Sequence, residues 1–170
     1  MMQVEYTLPV LSIWQPWIYS ILRLGKRIEN RSYPVPHGYT GRVWLHSCMT
    51  RKDVAEFEAI FRKRLGNQEF CVGEPHEDKN ILIFDEFDSA ATFGAILGFA
   101  DIIGCVNGSE GMNGYLNANP NQCRDNIEKW FVGPYGWILG NVNELVEPVM
   151  WKGTQGFKPN TKHTINVKVV

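Results

Sequence analysis

Between residues 11 and 31 the chain changes period three times, and this constrains the fold more than any other stretch. LSI is a short apolar run of strand character, and residues 8–13 are predicted as a strand. Trp14, Trp17, Ile18, Ile21 and Leu22 then recur at helical spacing. Ser12 and Gln15 stand at the spacing of a capping box, with Pro16 at a favoured early helical position and Gly25 as the C-terminal stop. A charged string follows at once, Lys26, Glu29, Asn30 and Arg31, and residues 26–31 read as a polar strand or strand edge. Glu29 and Arg31 are two apart, so in an extended segment they share one face. An ion pair displayed there is either a structural clamp or the floor of a binding site.

The rest of the chain is β-rich. Residues 33–39, with two prolines and a glycine, form a turn region, and GRVWLHSC at 41–48 alternates like a strand. A helix is predicted from about 51 to 65, capped by Thr50 and carrying an apolar stripe from Val54 to Leu65. Residues 66–92 have no clear period and read as an acidic surface insertion. A glycine-spaced strand begins at Gly94, followed by a Gly/Asn-rich loop at 107–122 and a short helix near 124–130. Strands at 135–142, 147–151 and 163–170 complete the pattern. Helices placed early and many short strands later predict an α+β fold, a small, partly open mixed β-barrel with helices packed outside. At 170 residues a single domain is expected over 1–170.

Composition narrows the function classes. Hydrophobic content of 44% and charged content of 21% are those of a globular protein, and no apolar run is long enough to span a bilayer. No signal peptide is read at the N-terminus, and the four cysteines lack C-x-x-C spacing, so free thiols in a reducing, intracellular compartment are expected. Net charge is −1, but residues 1–64 hold ten Lys/Arg against five acids, whereas 65–101 hold one against eight. A chain of this overall charge is a poor electrostatic binder of duplex DNA, although its basic first third can form a local patch. The histidines and cysteines show no metal-ligand spacing, so neither a metal nor a cofactor is expected. Phosphate-loop, dinucleotide and nucleophile-elbow motifs are absent from the sequence.

Lys26, Glu29 and Arg31 are the principal site candidates. A carboxylate between a point-charge ammonium and a bidentate guanidinium can fix both and leave donors for phosphate or base edges. Lys26 beside Glu29 also has the make-up of an acid/base pair. Against this stands a surface ion-pair ladder of little energetic weight, under about 1 kcal/mol. Gln15 is a cap or a ligand donor; His46 is a ligand-facing donor or a satisfied structural histidine. Trp14 and Trp17 are expected in the core, whereas Trp151, next to Lys152 and Gly153, is a candidate base-stacking residue.

Taken in order, LSIWQPW, GKRIENRSY, GRVWLHS, GAILGFADI, GPYGWIL and WKGTQG resemble the ASCH domain family, over about residues 8–158. The variety resembled is that of standalone bacterial and phage ASCH proteins and of the transcription-coactivator domain. The resemblance implies a PUA-like barrel with a cleft facing Lys26, Glu29 and Arg31. It implies binding of RNA, single-stranded nucleic acid or a modified nucleoside, in RNA metabolism or transcription coactivation, with Lys26, Arg31 and Lys152 on phosphate or base edges. A cytoplasmic location is expected, or a nuclear one in a eukaryote. A hydrolase is the alternative, a nucleoside amidohydrolase or ribonuclease using Lys26 and Glu29. In the family's acetyl-hydrolase pattern Lys26 matches the lysine and Arg31 the arginine, but Glu29 occupies the position of the threonine that lysine would activate. A protein-interaction adaptor working through the acidic insertion is a further alternative.

Overall fold

The computed structural model describes residues 2–15, 17–51, 92–118, 124–153 and 156–169. The predicted helix at 51–65 and the acidic insertion at 66–92 fall almost wholly outside them. Among the described residues, six strands and three helices make a mixed α+β fold: β1 (Met2–Gln15), α1 (Trp17–Arg23), β2 (Ile28–Arg31), β3 (Gly41–Arg51), β4 (Ala95–Asn107), α2 (Met112–Ala118), α3 (Arg124–Trp130), β5 (Tyr135–Met150) and β6 (Lys162–Val169). A single turn of 3₁₀ helix, Pro36–Gly38, lies in the predicted turn region. The strands form one sheet in the order β2-β5-β4-β3-β1-β6, in which β1 runs parallel to β3 and the other neighbours are antiparallel. Among the described residues the sheet therefore has two ends, β2 and β6, and strand pairing does not close it into a barrel.

Several boundaries differ from the sequence reading. The strand predicted at 8–13 runs from Met2 to Gln15, because β6 pairs with its first half and β3 with its second. Trp14 consequently lies on a strand and is 45% exposed, not in the core. The capping box does not form, since Ser12 is three residues inside β1 and α1 starts only at Trp17. The two strands predicted at 135–142 and 147–151 are one, bent around β4 by register shifts. Part of the predicted 107–122 loop is α2. The helix near 124–130 is found where its sequence placed it.

Three apolar clusters hold the sheet. The inner face carries Leu11, Ile13, Val43, Leu45, Leu97, Ile102, Trp137 and Leu139 under Ile18 and Ile21 of α1. A second cluster, Ile28, Val106, Leu116, Ile127, Trp130 and Ile138, seats α2 and α3 against the sheet end near β2. The opposite face packs Trp44, Ile96, Ile165 and Val167. Fully burying each aliphatic side chain contributes about 1.5–3 kcal/mol, so these clusters dominate the fold's stability. Strands buried on both faces explain why residues 43–47 are all inaccessible, although their sequence alternates.

Candidate functional site

The charged string is assembled by the end of α1. Gly25 takes φ +70°, a conformation with little cost only for glycine, and the Lys26 N–H returns to the Ser20 carbonyl at 3.0 Å. The chain then enters β2, where Glu29 stands opposite Trp137 of β5. Arg27 is held from both sides of this turn. Its guanidinium donates to the Ile21 carbonyl at 2.8 Å, and its N–H donates to the Asn126 side chain of α3 at 2.9 Å.

Lys26, Glu29 and Arg31 form one network. The Lys26 ammonium donates to Glu29 Oε2 at 3.1 Å and to the Ile28 carbonyl, with the Trp17 ring 5.8 Å away. Glu29 Oε1 is 3.2 Å from Arg31 Nε, whose N–H is directed off the carboxylate, so that contact is Coulombic and not a hydrogen bond. Arg31 Nη2 donates to the Ser12 carbonyl at 2.7 Å, and its guanidinium lies 5.5 Å from the Trp137 ring centre. Lys26 is 1% exposed and Glu29 6%. The exposed ladder considered from sequence is thus excluded by burial; the charges are enclosed.

Enclosure does not remove them from ligand reach. Lys26 and Glu29 line a cavity of about 170 Å³ together with Trp17, Asn30 and Val132. That is smaller than the roughly 300–1,000 Å³ of sites for drug-sized ligands. It suits a single planar ring or a small polar group. Asn30, read from sequence only as part of the charged string, builds one wall: its amide donates to the Trp130 carbonyl at 2.9 Å and accepts from the Val132 N–H at 2.9 Å. Two cations and one carboxylate leave the network with one net positive charge, which favours an electron-rich group.

The other candidates lie apart from this cavity. Gln15, 2% exposed, accepts from the Tyr19 N–H at 3.3 Å and donates to the Thr92 carbonyl at 3.2 Å; it caps α1 from just before the helix. His46 is 2% exposed, with Nδ1 2.9 Å from Ser12 Oγ and Nε2 3.1 Å from the Trp151 carbonyl. A carbonyl only accepts, so Nε2 carries the hydrogen and Nδ1 is free to accept from Ser12. Burial lowers the His46 pKa below its ordinary value, and the Trp151 carbonyl opposes this in part. Trp151 is half-buried, edge-on to His163 at 5.0 Å, and Lys152 is exposed. Cys48, a free thiol, is pushed up by burial; Arg31 lowers it and Glu29 raises it, placing it within electrostatic reach of the network.

Trp137 is the residue that sequence reasoning passed over. It is fully buried, donates Nε1–H to the Tyr33 carbonyl at 3.1 Å, and backs both Glu29 and Arg31. Its position in GPYGW carried no sign of this role, because the facing strand β2 is remote in sequence.

No helix of the described residues is long and apolar enough to cross a membrane. No protein-family model matches the chain. Among curated proteins it is similar to Activating signal cointegrator 1 of Homo sapiens, 26% identical over 152 residues, covering 84% of this chain and 22% of that protein. The protein of the same name from Mus musculus is 31% identical over 100 residues, covering 57% of this chain and 14% of its own length. The chain therefore spans less than a quarter of the length of these relatives.

Proposed function

We propose that this chain is an ASCH-type binding module for single-stranded nucleic acid or a nucleotide-sized ligand, with the cavity at Lys26 and Glu29 receiving one unstacked base. The observation that carries this reading is the buried Lys26–Glu29–Arg31 network opening onto a cavity walled by Trp17 and Asn30. A buried ion pair contributes little to stability compared with an apolar replacement of equal volume, so its presence at a cavity points to recognition. A tryptophan ring offers a stacking face to any base, and Lys26 and Glu29 offer a donor and an acceptor for its edge. Lys152 and the basic first third supply phosphate contacts. The PUA-like architecture is part of the same proposal, supported by the curled sheet that brings Arg31 of β2 to β1. Similarity to Activating signal cointegrator 1 supports a place in transcription coactivation or RNA metabolism.

The test is binding of labelled single-stranded RNA and DNA across a salt series, with wild type against Lys26→Met combined with Arg31→Gln. Affinity that falls with salt and is lost in the double variant supports the proposal. Absent binding, or binding the variant leaves unchanged, removes it.

One observation favours a second reading. Lys26 Nζ and Glu29 Oε2 are 3.1 Å apart at the cavity, within the reach an acid/base pair needs for amide hydrolysis or RNA cleavage. Release of acetate from acetylated nucleosides, or of fragments from RNA, distinguishes it from binding alone.

A further inference from the structure

Ser12 stands where two otherwise separate parts of the molecule meet. Its carbonyl accepts from Arg31 Nη2 at 2.7 Å, and its hydroxyl is 2.9 Å from His46 Nδ1. The other ring nitrogen of His46 donates to the Trp151 carbonyl at 3.1 Å. Gly153 lies close against the same ring: a Cβ there would fall 2.1 Å from Cε1 and 2.4 Å from Nδ1. The imidazole is thus gripped by Ser12 on one side and by the 151–153 backbone on the other.

Ser12 also sits at a change in the strand pattern. Pairing of β6 with β1 stops at Pro9, and the register of β1 against β3 shifts between Ile13 and Gln15. At Ser12, opposite His46 in the β1–β3 register, β3 is the paired strand among the described residues. Ser12 is therefore tied to β2 through Arg31 and to the 151–153 segment through His46, in addition to its place in the β1–β3 ladder. Hydrogen bonds in such a low-dielectric chain also polarise one another.

We propose that His46 is a positioning residue that, through Ser12, couples the 151–153 segment to the Glu29–Arg31 pair. The placement of exposed Lys152 and the order of the cavity's charged wall then change together. His46 itself contacts no ligand; its ring nitrogens are committed to Ser12 and Trp151. The structural coupling stands independently of the nucleic-acid reading, and only its consequence for affinity rests on that reading.

The experiment has two arms. In the ligand-free protein, ¹⁵N NMR follows the Arg31 Nε–H and the Lys152 and Gly153 amides in wild type, Ser12→Ala, His46→Leu and His46→Gln. Coupling predicts that Ser12→Ala, which retains the carbonyl, moves the Arg31 and Gly153 signals together. His46→Leu does so more strongly, and His46→Gln, which can still donate and accept, restores part of the wild-type pattern. Should His46→Leu fail to fold, Ser12→Ala and His46→Gln decide alone. Movement confined to Lys152 and Gly153, with Arg31 unshifted, overturns the proposal and leaves His46 a packing residue. In the second arm, a labelled single-stranded RNA is bound by Lys152→Ala, Ser12→Ala and the double variant. Each single change weakens binding about fivefold to a hundredfold, and the double change by less than the product. Multiplicative effects overturn the coupling. If wild type binds no RNA, the nucleic-acid reading fails, and the NMR arm still decides the coupling.

Discussion

Arg31 reaches the carbonyl of Ser12 at 2.7 Å, joining the first strand of the sheet order to the fifth without any ladder between them. The sheet is curled far enough for an edge-strand side chain to span the gap. The guanidinium is suited to this because its fork serves Glu29, the Ser12 carbonyl and the Trp137 face at once.

Arg31→Lys tests that geometry. A single ammonium cannot hold the Glu29 contact and the carbonyl together and also lie along the indole. A hydrogen bond involving a charged group contributes about 1.5–3 kcal/mol, and Arg31 is largely enclosed, so a loss near the lower half of that range is expected in urea unfolding. An unchanged midpoint with an unchanged slope would show that the bridge between β2 and β1 carries no stability.

Lys26 and Glu29 tie stability to function at one buried pair. Glu29→Ala leaves a 1% exposed ammonium beside its former partner, and breaking a buried pair in this way costs about 3–5 kcal/mol. Lys26→Met keeps the volume and removes the charge. It still leaves the buried Glu29 carboxylate with only the Coulombic contact to Arg31, so the variant is expected to lose stability, though less than Glu29→Ala, and to lose affinity for single-stranded RNA. Paired denaturation and binding curves check both; a Lys26→Met protein that binds as wild type does would show that the charge is not used in recognition.

Much of this arrangement was legible in the sequence, for reasons that are local. The Gly25 stop, the two-residue spacing of Glu29 and Arg31 and the α3 helix all follow from neighbours a few residues apart, where turn chemistry and periodicity act. What failed was the boundary between β1 and α1. Trp14 and Trp17 fit a helical stripe, but β6 pairs with the first half of β1 and β3 with the second, extending the strand to Gln15. Those partners lie as much as 167 positions away in sequence, from Met2 to Val169. Sequence separation likewise hid Trp137 behind Glu29, and, over the shorter spans of 19 and 34 positions, the place of Ser12 between Arg31 and His46. Burial of the charged string was equally invisible, because the residues that enclose it come from α1, β5 and the 131–132 segment.

Stability should depend on pH through His46. Burial lowers its folded pKa beneath the roughly 6.5 of the unfolded chain. As pH falls through about 6.5 the unfolded state takes up the proton first, so the folded state is disfavoured; above that pH the histidine is neutral in both states and the penalty vanishes. The melting temperature of wild type relative to His46→Gln is expected to decline as pH drops from about 7 to 5. A difference that stays flat over that window would mean the imidazole accepts its proton inside the fold without penalty.

Asn30 offers the sharpest separation of cavity shape from fold. Its side chain satisfies the Trp130 carbonyl and the Val132 N–H, both at 2.9 Å, and so fixes the wall that Val132 presents to the cavity. Val132 is 56% exposed, which lets water replace its lost partner once Asn30 is truncated. The carbonyl is less open, so Asn30→Ala is expected to cost about 1 kcal/mol, toward the low end for a broken pair of such contacts. Affinity for a labelled RNA should fall further than stability does, since the loosened wall no longer confines a ring against Trp17. Asn126→Ala is the comparison. It removes a similar pair of contacts, to Arg27 N–H and the Gly25 carbonyl, from a residue that does not line the cavity. Equal effects of the two substitutions on binding would show that the wall at Val132 plays no part in recognition, whereas a loss specific to Asn30→Ala ties ligand capture to this cavity.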